Sequence, residues 1–478
     1  MATLSDLLPY QHQMIEHIKE HEKCALWVAM GSGKTVTTLT AVQWLLQNFE
    51  SNKVLVIAPL RVARKVWTDE IETWDHLNLT TSIMVGSYQN RVAALRTPAD
   101  IHIINRENVS WLIDRYMRGQ KRPWPWDTIV IDESRSFKNP TSGRFRQMRR
   151  ILPQVSRMIQ LTGTPAANGL QDLWAQLYLL DNGERLEPYV THFYEKYFDV
   201  HPYSKYKRKL KPGAERAIID KVKDICLSLR DEDLHGAPTV QRTVVRCYLP
   251  DIGRRVYDDM KTKQLAEFAD AEIPAVSAGV LVNKLVQLAN GAVYTEEKHW
   301  VATHSAKIET LVELVAERDG PMIVVYQYIH DKERILAAFE QETRSVAKQF
   351  SYRLLQTEKD EDDWNAGKID VLLLHPASAG HGLNLHKSGA RRIVHFSINP
   401  DLDQYLQVNA RLFGGHRGKG RQGVIMHIVA NDTIDERIMG MLQDKTETQD
   451  SLMRGTSSQR MIELANEMLK ESQGDWLL

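Results

Sequence analysis

Two stretches of the chain alternate short β-branched runs with helical patterning, and this rhythm constrains the fold more than any other feature. In the first, Val54-Leu55-Val56-Ile57-Ala58, Ile101-His102-Ile103-Ile104, Thr128-Ile129-Val130-Ile131-Asp132 and Met158-Ile159-Gln160-Leu161 each lead into a turn, and most then into a helical segment. In the second, from about Ala306, the runs are Met322-Ile323-Val324-Val325-Tyr326, Val371-Leu372-Leu373-Leu374, Arg392-Ile393-Val394-His395-Phe396 and Val424-Ile425-Met426-His427-Ile428-Val429. Strands that alternate with helices predict a parallel sheet covered by helices. The expected fold class is therefore α/β, with two parallel-sheet lobes. From about Gly183 the pattern changes. Aromatic and basic residues crowd into Tyr203-Ser204-Lys205-Tyr206-Lys207-Arg208-Lys209-Leu210-Lys211, and a helical stretch runs from about Ala214 to Arg230. One strand-like run, Thr243 to Tyr248, leads into more helix up to about Asn290. The last helix opens on Thr433-Ile434-Asp435-Glu436, a capping-box spacing in which hydroxyl and carboxylate satisfy reciprocal backbone N–H groups. The segmentation expected is a first lobe over 1–182, a mostly helical insertion over 183–300, a second lobe over 301–442 and a helical tail over 443–478.

Bulk properties exclude more than they identify. A chain of 478 residues holds two or three domains, and 43% hydrophobic with 26% charged residues describes an ordinary globular protein. The formal net charge is +0, so any polyanion site must be a local groove rather than a basic shell. Cys24, Cys226 and Cys247 are scattered with no C-x-x-C pair, which argues against zinc or a disulfide framework and fits a reducing cytoplasm. Met1 to Asp6 lacks the basic-then-apolar pattern of a signal peptide. No apolar run approaches the roughly 18–20 residues of a membrane span.

The chemistry begins at Ala29-Met30-Gly31-Ser32-Gly33-Lys34-Thr35, between a strand (Cys24 to Val28) and a helix from Val36 onward. Gly31 and Gly33 let backbone N–H groups close around a triphosphate, with Ser32 between them. Lys34 reaches the β/γ-phosphates and Thr35 holds Mg²⁺. Val28 stands where the strict pattern has its first glycine. Asp132-Glu133 closes a strand, which places Asp132 to hold Mg²⁺ through water and Glu133 to orient and deprotonate an attacking water. Taken alone, the pair reads equally as a solvated acidic strand end. Leu161-Thr162-Gly163-Thr164-Pro165 ends the next strand as a turn whose hydroxyls suit phosphate or metal sensing, or as a plain turn. In Pro9-Tyr10-Gln11 the glutamine amide matches the adenine edge and Tyr10 could pack on the base; the plain alternative is a polar helix start. Gln404, Gln407 and Arg411 share a helical segment, with Arg417 shortly after. A guanidinium aimed at a γ-phosphate stabilises transition-state charge, although helix arginines are commonly just solvated. The run from Tyr203 to Lys211 reads either as a phosphate-binding segment or as a solvated loop. Gly143 to Arg150 reads as a solvated helix face. His375, His381 and His386 do not have metal-ligand spacing.

The order of these segments resembles superfamily 2 helicases and, more narrowly, the Swi/Snf-type DNA translocases in their compact bacteriophage and prophage versions. Tyr10-Gln11 resembles the adenine motif, Ala29 to Thr35 motif I, Ala58-Pro59-Leu60-Arg61 motif Ia, and Ile104-Asn105-Arg106-Glu107-Asn108 the segment that touches the tracked strand. Asp132-Glu133-Ser134-Arg135 with Phe137-Lys138-Asn139 resembles motif II. Leu161 to Pro165, Asn168 and Leu173-Trp174-Ala175-Gln176-Leu177 resemble motif III and its continuation. In the second lobe Val324-Val325-Tyr326 resembles motif IV, Ser378-Ala379-Gly380-His381-Gly382-Leu383-Asn384-Leu385 motif V, and Gln407 with Arg411 motif VI. Three positions depart from the family pattern. Ala29 replaces an acidic residue, Arg135 replaces a common histidine, and Gly414 stands where a second arginine belongs. If Gly415 and His416 form an insertion, Arg417 takes that role.

The resemblance implies two RecA-like lobes of the P-loop NTPase class, with ATP and Mg²⁺ as cofactors. It implies catalysis by Lys34, Asp132, Glu133, Gln407, Arg411 and Arg417. It also implies DNA contacts from Arg61, Asn105, Thr162, Thr164, Ser378, Gly380 and Asn384. The expected partner is duplex DNA read with low sequence specificity. The expected setting is a monomer in the cytoplasm of a bacterium or phage-infected host, alongside replication or recombination proteins. Two alternatives stand beside a translocase: a strand-separating DNA or RNA helicase, and a nucleotide-gated DNA-binding or annealing module.

Overall fold

The computed structural model describes residues 2–28, 31–119, 123–163, 165–166, 169–201, 204–229, 239–266, 275–344, 349–379, 383, 385–413 and 422–447. Ala29, Met30, Thr164, Asn168, Tyr203, Gly380, His381, Gly382, Asn384, the segment from Gly414 to Arg417 and the tail beyond 447 lie outside the described residues. The chain divides into two compact units, Met1–Ala237 and Pro238–Leu478.

In the first unit the β-branched runs become β1 (Lys23–Val28), β2 (Val54–Ala58), β3 (Thr81–Met84), β4 (Ile101–Asn105), β5 (Thr128–Asp132) and β6 (Arg157–Thr162). An antiparallel hairpin follows, β7 (Phe198–His201) and β8 (Ser204–Leu210), so most of the basic-aromatic run is strand. β9 (Cys226–Leu229) completes a seven-stranded sheet of order β3-β4-β2-β5-β6-β1-β9, parallel at every pairing. Every residue of β2 and of β4 is buried, as parallel strands covered on both faces must be. Val54, Val56 and Ala58 of β2 join one core cluster with Met14 and Ile18 of helix Pro9–Glu20 and with Leu39 and Val42 of helix Lys34–Gln47.

One sequence expectation fails here. The helix expected from Ala214 to Arg230 stops at Val222, and Cys226–Leu229 is a strand. It pairs in parallel with β1, from Ala25↔Cys226 to Val28↔Leu229. The open backbone groups along the edge of β1 supply a partner that local helical propensity cannot anticipate.

The second unit holds β10 (Thr239–Cys247), a small hairpin of β11 (Ala292–Tyr294) and β12 (Trp300–Ala302), then β13 (Met322–Val325), β14 (Tyr352–Leu354), β15 (Val371–Leu374), β16 (Arg392–His395) and β17 (Gln422–Ala430). Its six-stranded sheet runs β10-β17-β16-β13-β15-β14, again all parallel. The stretch 183–300 therefore feeds β9 into one sheet and β10 into the other. The two parallel-sheet lobes expected from the sequence are both present.

A second expectation is corrected at Thr433. Its hydroxyl donates to the Ala430 carbonyl at 2.7 Å, and the Glu436 carboxylate bonds Arg246 of β10 instead of closing a capping box. A cation from a strand distant in sequence outcompetes one backbone N–H for the carboxylate, because charge-assisted hydrogen bonds are the stronger ones.

Candidate nucleotide and DNA site

The carboxyl ends of five neighbouring strands of the first sheet carry the residues singled out by sequence. Asn105 ends β4, Arg61 follows β2, Asp132 ends β5, Thr162 ends β6, and Gly31 to Thr35 follow β1. This edge is where open α/β sheets bind ligands.

The loop after β1 is shaped by Gly31 and Gly33, at φ +77° and +82°. Gly33 caps helix Lys34–Gln47, which starts two residues earlier than the sequence suggests. Lys34 and Thr35 therefore sit in the first turn, where backbone N–H groups and the helix dipole favour anions. Gly33 meets a second constraint: a Cβ there would collide with the Gln11 amide. Gln11 is fully buried; its Oε1 accepts from Leu8 N at 2.9 Å and its Nε2 donates to the Ser32 carbonyl at 3.1 Å. The Tyr10 hydroxyl donates to the same carbonyl at 3.3 Å. Tyr10 and Gln11 thus brace the loop from behind. Lys34 Nζ donates to the Val28 carbonyl at 2.7 Å, and Ser32 Oγ is buried without a hydrogen-bond partner among the described residues.

Asp132 accepts a hydrogen bond on Oδ2 from the indole N–H of Trp67 at 3.3 Å. Trp67 is fully buried and opens helix Trp67–Thr73, directly after a π-helical turn over Val62–Val66. Such turns re-aim the residues that follow and cluster at functional sites. Sequence reading missed Trp67. Its signal was an indole in a segment that must be buried, where the N–H needs an acceptor. Glu133 has φ +55° and ψ +57°, a left-handed conformation rare outside glycine, and it caps the short helix Ser134–Phe137. Residues held in this region cluster at active sites, which makes the turn bearing the two carboxylates a candidate functional one.

Of the residues assigned to DNA, Arg61 and Ser378 are exposed, whereas Asn105 and Thr162 are buried. The Asn105 side chain bonds those of Glu107 and Asn108 at 2.8 and 2.5 Å. In the second unit, helix Leu402–Phe413 carries Gln404, Gln407 and Arg411. Gln407 is mostly buried and donates to Asp403 Oδ2 at 3.0 Å; Arg411 is half-buried.

Comparison with known proteins agrees with this geometry. The family model described as the SNF2-related domain matches residues 10–292. Protein p41 of Acyrthosiphon pisum secondary endosymbiont phage 1 is 37% identical over 469 residues, covering 93% of this chain and 97% of its own length. The chromatin remodeling factor mit1 of Schizosaccharomyces pombe is 22% identical over 92% of this chain, which spans only 32% of mit1. Among solved structures, the Hef helicase domain of Pyrococcus furiosus is 15% identical, with a TM-score of 0.55 over 93% of this chain and 100% of that one, and shares the fold. With the family model matching more than half of its length and a phage relative nearly all of it, this chain belongs to the SNF2-related family of ATP-dependent DNA translocases and helicases.

Proposed function

We propose that the chain is a DNA-stimulated ATPase that moves along duplex DNA with little sequence preference. One observation carries the reading: a single sheet edge gathers the phosphate loop, Asp132, Glu133, and the segments of Arg61 and Thr162 on neighbouring strands. The residues fit MgATP. Positive-φ glycines open the loop, a buried serine hydroxyl lacks a partner among the described residues, and the metal donors are the hard oxygens that Mg²⁺ prefers. Lys34 and the loop N–H groups would hold the phosphates, and Thr35 and Asp132 the metal. Bound Mg²⁺ would neutralise charge on the transferring phosphoryl group. Glu133 would orient the attacking water and take its proton.

Gln407 and Arg411, with Arg417, would complete the site from the second unit, so that nucleotide state sets opening and closing. Each cycle would shift one unit along the strand. Arg61 and Ser378, joined by Thr164, Gly380 and Asn384, would contact phosphates, which position without reading sequence. Asn105 and Thr162, being buried, would act by shaping their turns. Mit1 is named a chromatin remodeling factor, and chromatin is built on duplex DNA. We place the work in the cytoplasm of a bacterium or phage-infected cell, carried out by a monomer beside replication or recombination proteins.

The test is steady-state ATPase activity with no nucleic acid, single-stranded DNA, duplex DNA, a fork and RNA. Strong stimulation by duplex is expected, and it should vanish in Lys34→Ala. Stimulation by single strands or RNA alone would instead identify a strand-separating helicase. No stimulation by any of them would identify a nucleotide-gated binding module.

A further inference from the structure

We infer that Gln176 is a positioning residue that locks the turn after β5, which carries Glu133, to the turn after β6, which begins past Thr162 and carries Pro165. The inference rests on the function proposed above, since it concerns how DNA engagement reaches the hydrolytic groups. It comes from one buried amide whose hydrogen bonds run in two directions. Gln176 lies on helix Leu173–Asp181 and is 1% exposed. Its Oε1 accepts from the hydroxyl of Ser134, itself fully buried, at 2.9 Å. Its Nε2 donates to the Pro165 carbonyl at 2.7 Å and to the Asp172 carbonyl at 2.9 Å. The backbone carbonyl of Gln176 accepts from Gln160 Nε2, on β6, at 2.8 Å.

Both amide protons are used, and Oε1 accepts the Ser134 hydroxyl. Flipping the amide would aim Oε1 at two carbonyl oxygens, so the network fixes its orientation. A planar amide held this way is a rigid strut. It starts one residue beyond Glu133 and ends on the backbone of the turn beside Thr162. β6 lies between β5 and β1 in the sheet, so this turn sits between the acidic pair and the phosphate loop. The left-handed Glu133 backbone persists only where its surroundings hold it. The hold comes from Ser134 on Gln176, from buried Phe137, and from Lys138 paired with Asp172 at 3.1 Å. Asp172 also gives its carbonyl to Gln176. A shift of the β6 turn on meeting DNA would therefore be felt at Glu133 through this side chain.

The experiment compares wild type, Gln176→Met, Ser134→Ala and the double variant Ser134→Ala/Gln176→Leu. The readouts are the ratio of duplex-stimulated to basal ATP turnover, the KM for ATP, and thermal unfolding. Loss of the strut should cut the stimulation ratio about ten-fold in Gln176→Met, the scale on which coupling residues act. KM should stay within about two-fold, because ground-state binding of ATP is not what the strut serves. The double variant removes both ends of the Ser134–Gln176 bond but still leaves the Pro165 and Asp172 carbonyls without the amide donor, so its melting temperature should recover only in part from that of Gln176→Met while its stimulation ratio stays low. If stimulation recovers together with stability, Gln176 is packing and the inference fails. A stimulated wild type whose folded Gln176→Met keeps full stimulation also overturns the strut, and it leaves the proposed function standing. A wild type that no DNA stimulates overturns both.

Discussion

At the scale of single residues, the site divides into groups whose chemistry is visible in the sequence and groups whose role exists only in the fold. Lys34, Thr35, Asp132 and Glu133 belong to the first kind, because phosphate and metal chemistry needs those residue types at those spacings. Glu133→Gln keeps the shape of the side chain and removes the proposed base. ATP should still bind, and turnover should fall about 10²–10⁴-fold, the range of a lost general base. Nucleotide binding measured beside steady-state turnover checks this, and near-normal turnover would remove Glu133 from the role. Trp67 belongs to the second kind. Its indole bonds one oxygen of Asp132, the proposed metal ligand, and groups that orient a metal ligand are commonly worth 10–100-fold in metal affinity. Trp67→Phe preserves the buried ring and deletes the N–H. The Mg²⁺ concentration for half-maximal ATPase activity should then rise by about ten-fold or more. An unchanged Mg²⁺ titration in the folded variant would reduce Trp67 to a core residue.

At the scale of elements, the second unit is pinned by a buried charge. Lys307, on helix Ala306–Ala316, is fully buried; it pairs with Asp435 Oδ2 at 2.5 Å and donates to Asn290 Oδ1 at 2.9 Å and the Phe396 carbonyl at 3.4 Å. Asn290 in turn donates to Asp331 and to Ser397 Oγ. One ammonium thus ties helix Ala306–Ala316 to Asp435 of helix Ile434–Glu447, to the turn just past helix Ala275–Ala289 and to the end of β16. Removing one partner of a buried pair strands the other, so Lys307→Met should destabilise the second unit by about 3–5 kcal/mol. Denaturant unfolding followed by hydrogen exchange in β13 and β16 measures it, and a loss below about 1 kcal/mol, the range of a surface pair, would contradict the account. The same non-local character limits what sequence can tell. β2 is legible because Val54 to Ala58 is rich in β-branched residues and too short for a typical helix. β9 is not, because four residues after a helical pattern become a strand only when β1 offers an edge. β14 has three residues, and its neighbour β15 decides it. The spacing of Thr433 and Glu436 is a sound local signal that Arg246 overrides. Gln176 sits in a helical pattern that marks it as core, and no local pattern distinguishes a strut from filler.

At the scale of the whole molecule, each unit folds around its own sheet, and the two should respond differently to acid. His304, His395 and His427 lie in the second unit. Burial drives the first two down to about 4 and the third, which stacks on His395, to about 3. His395 Nε2 faces Asn409 Oδ1 at 2.9 Å, and His427 Nε2 faces the Tyr405 hydroxyl at 3.1 Å. Both partners lie on the helix that carries Gln407 and Arg411. Each imidazole is neutral when folded and titrates near 6.5 when unfolded. Below that value the unfolded chain binds more protons, so stability present above pH 6.5 is lost as pH falls toward 4. Each group can contribute up to about 1.4 kcal/mol per pH unit across that window. In the first unit burial also lowers His17, His76 and His102, but His17 and His76 keep part of their surface in water. Acidification should therefore open the second unit first, and His427→Phe should flatten its pH dependence. Hydrogen exchange at about pH 7 and about pH 5 in the two sheets separates the cases; equal protection loss in both would refute the assignment. Because helix Leu402–Phe413 rests on this histidine pair, the proposed DNA-stimulated ATPase activity should fall in the same window, before the loop after β1 is disturbed.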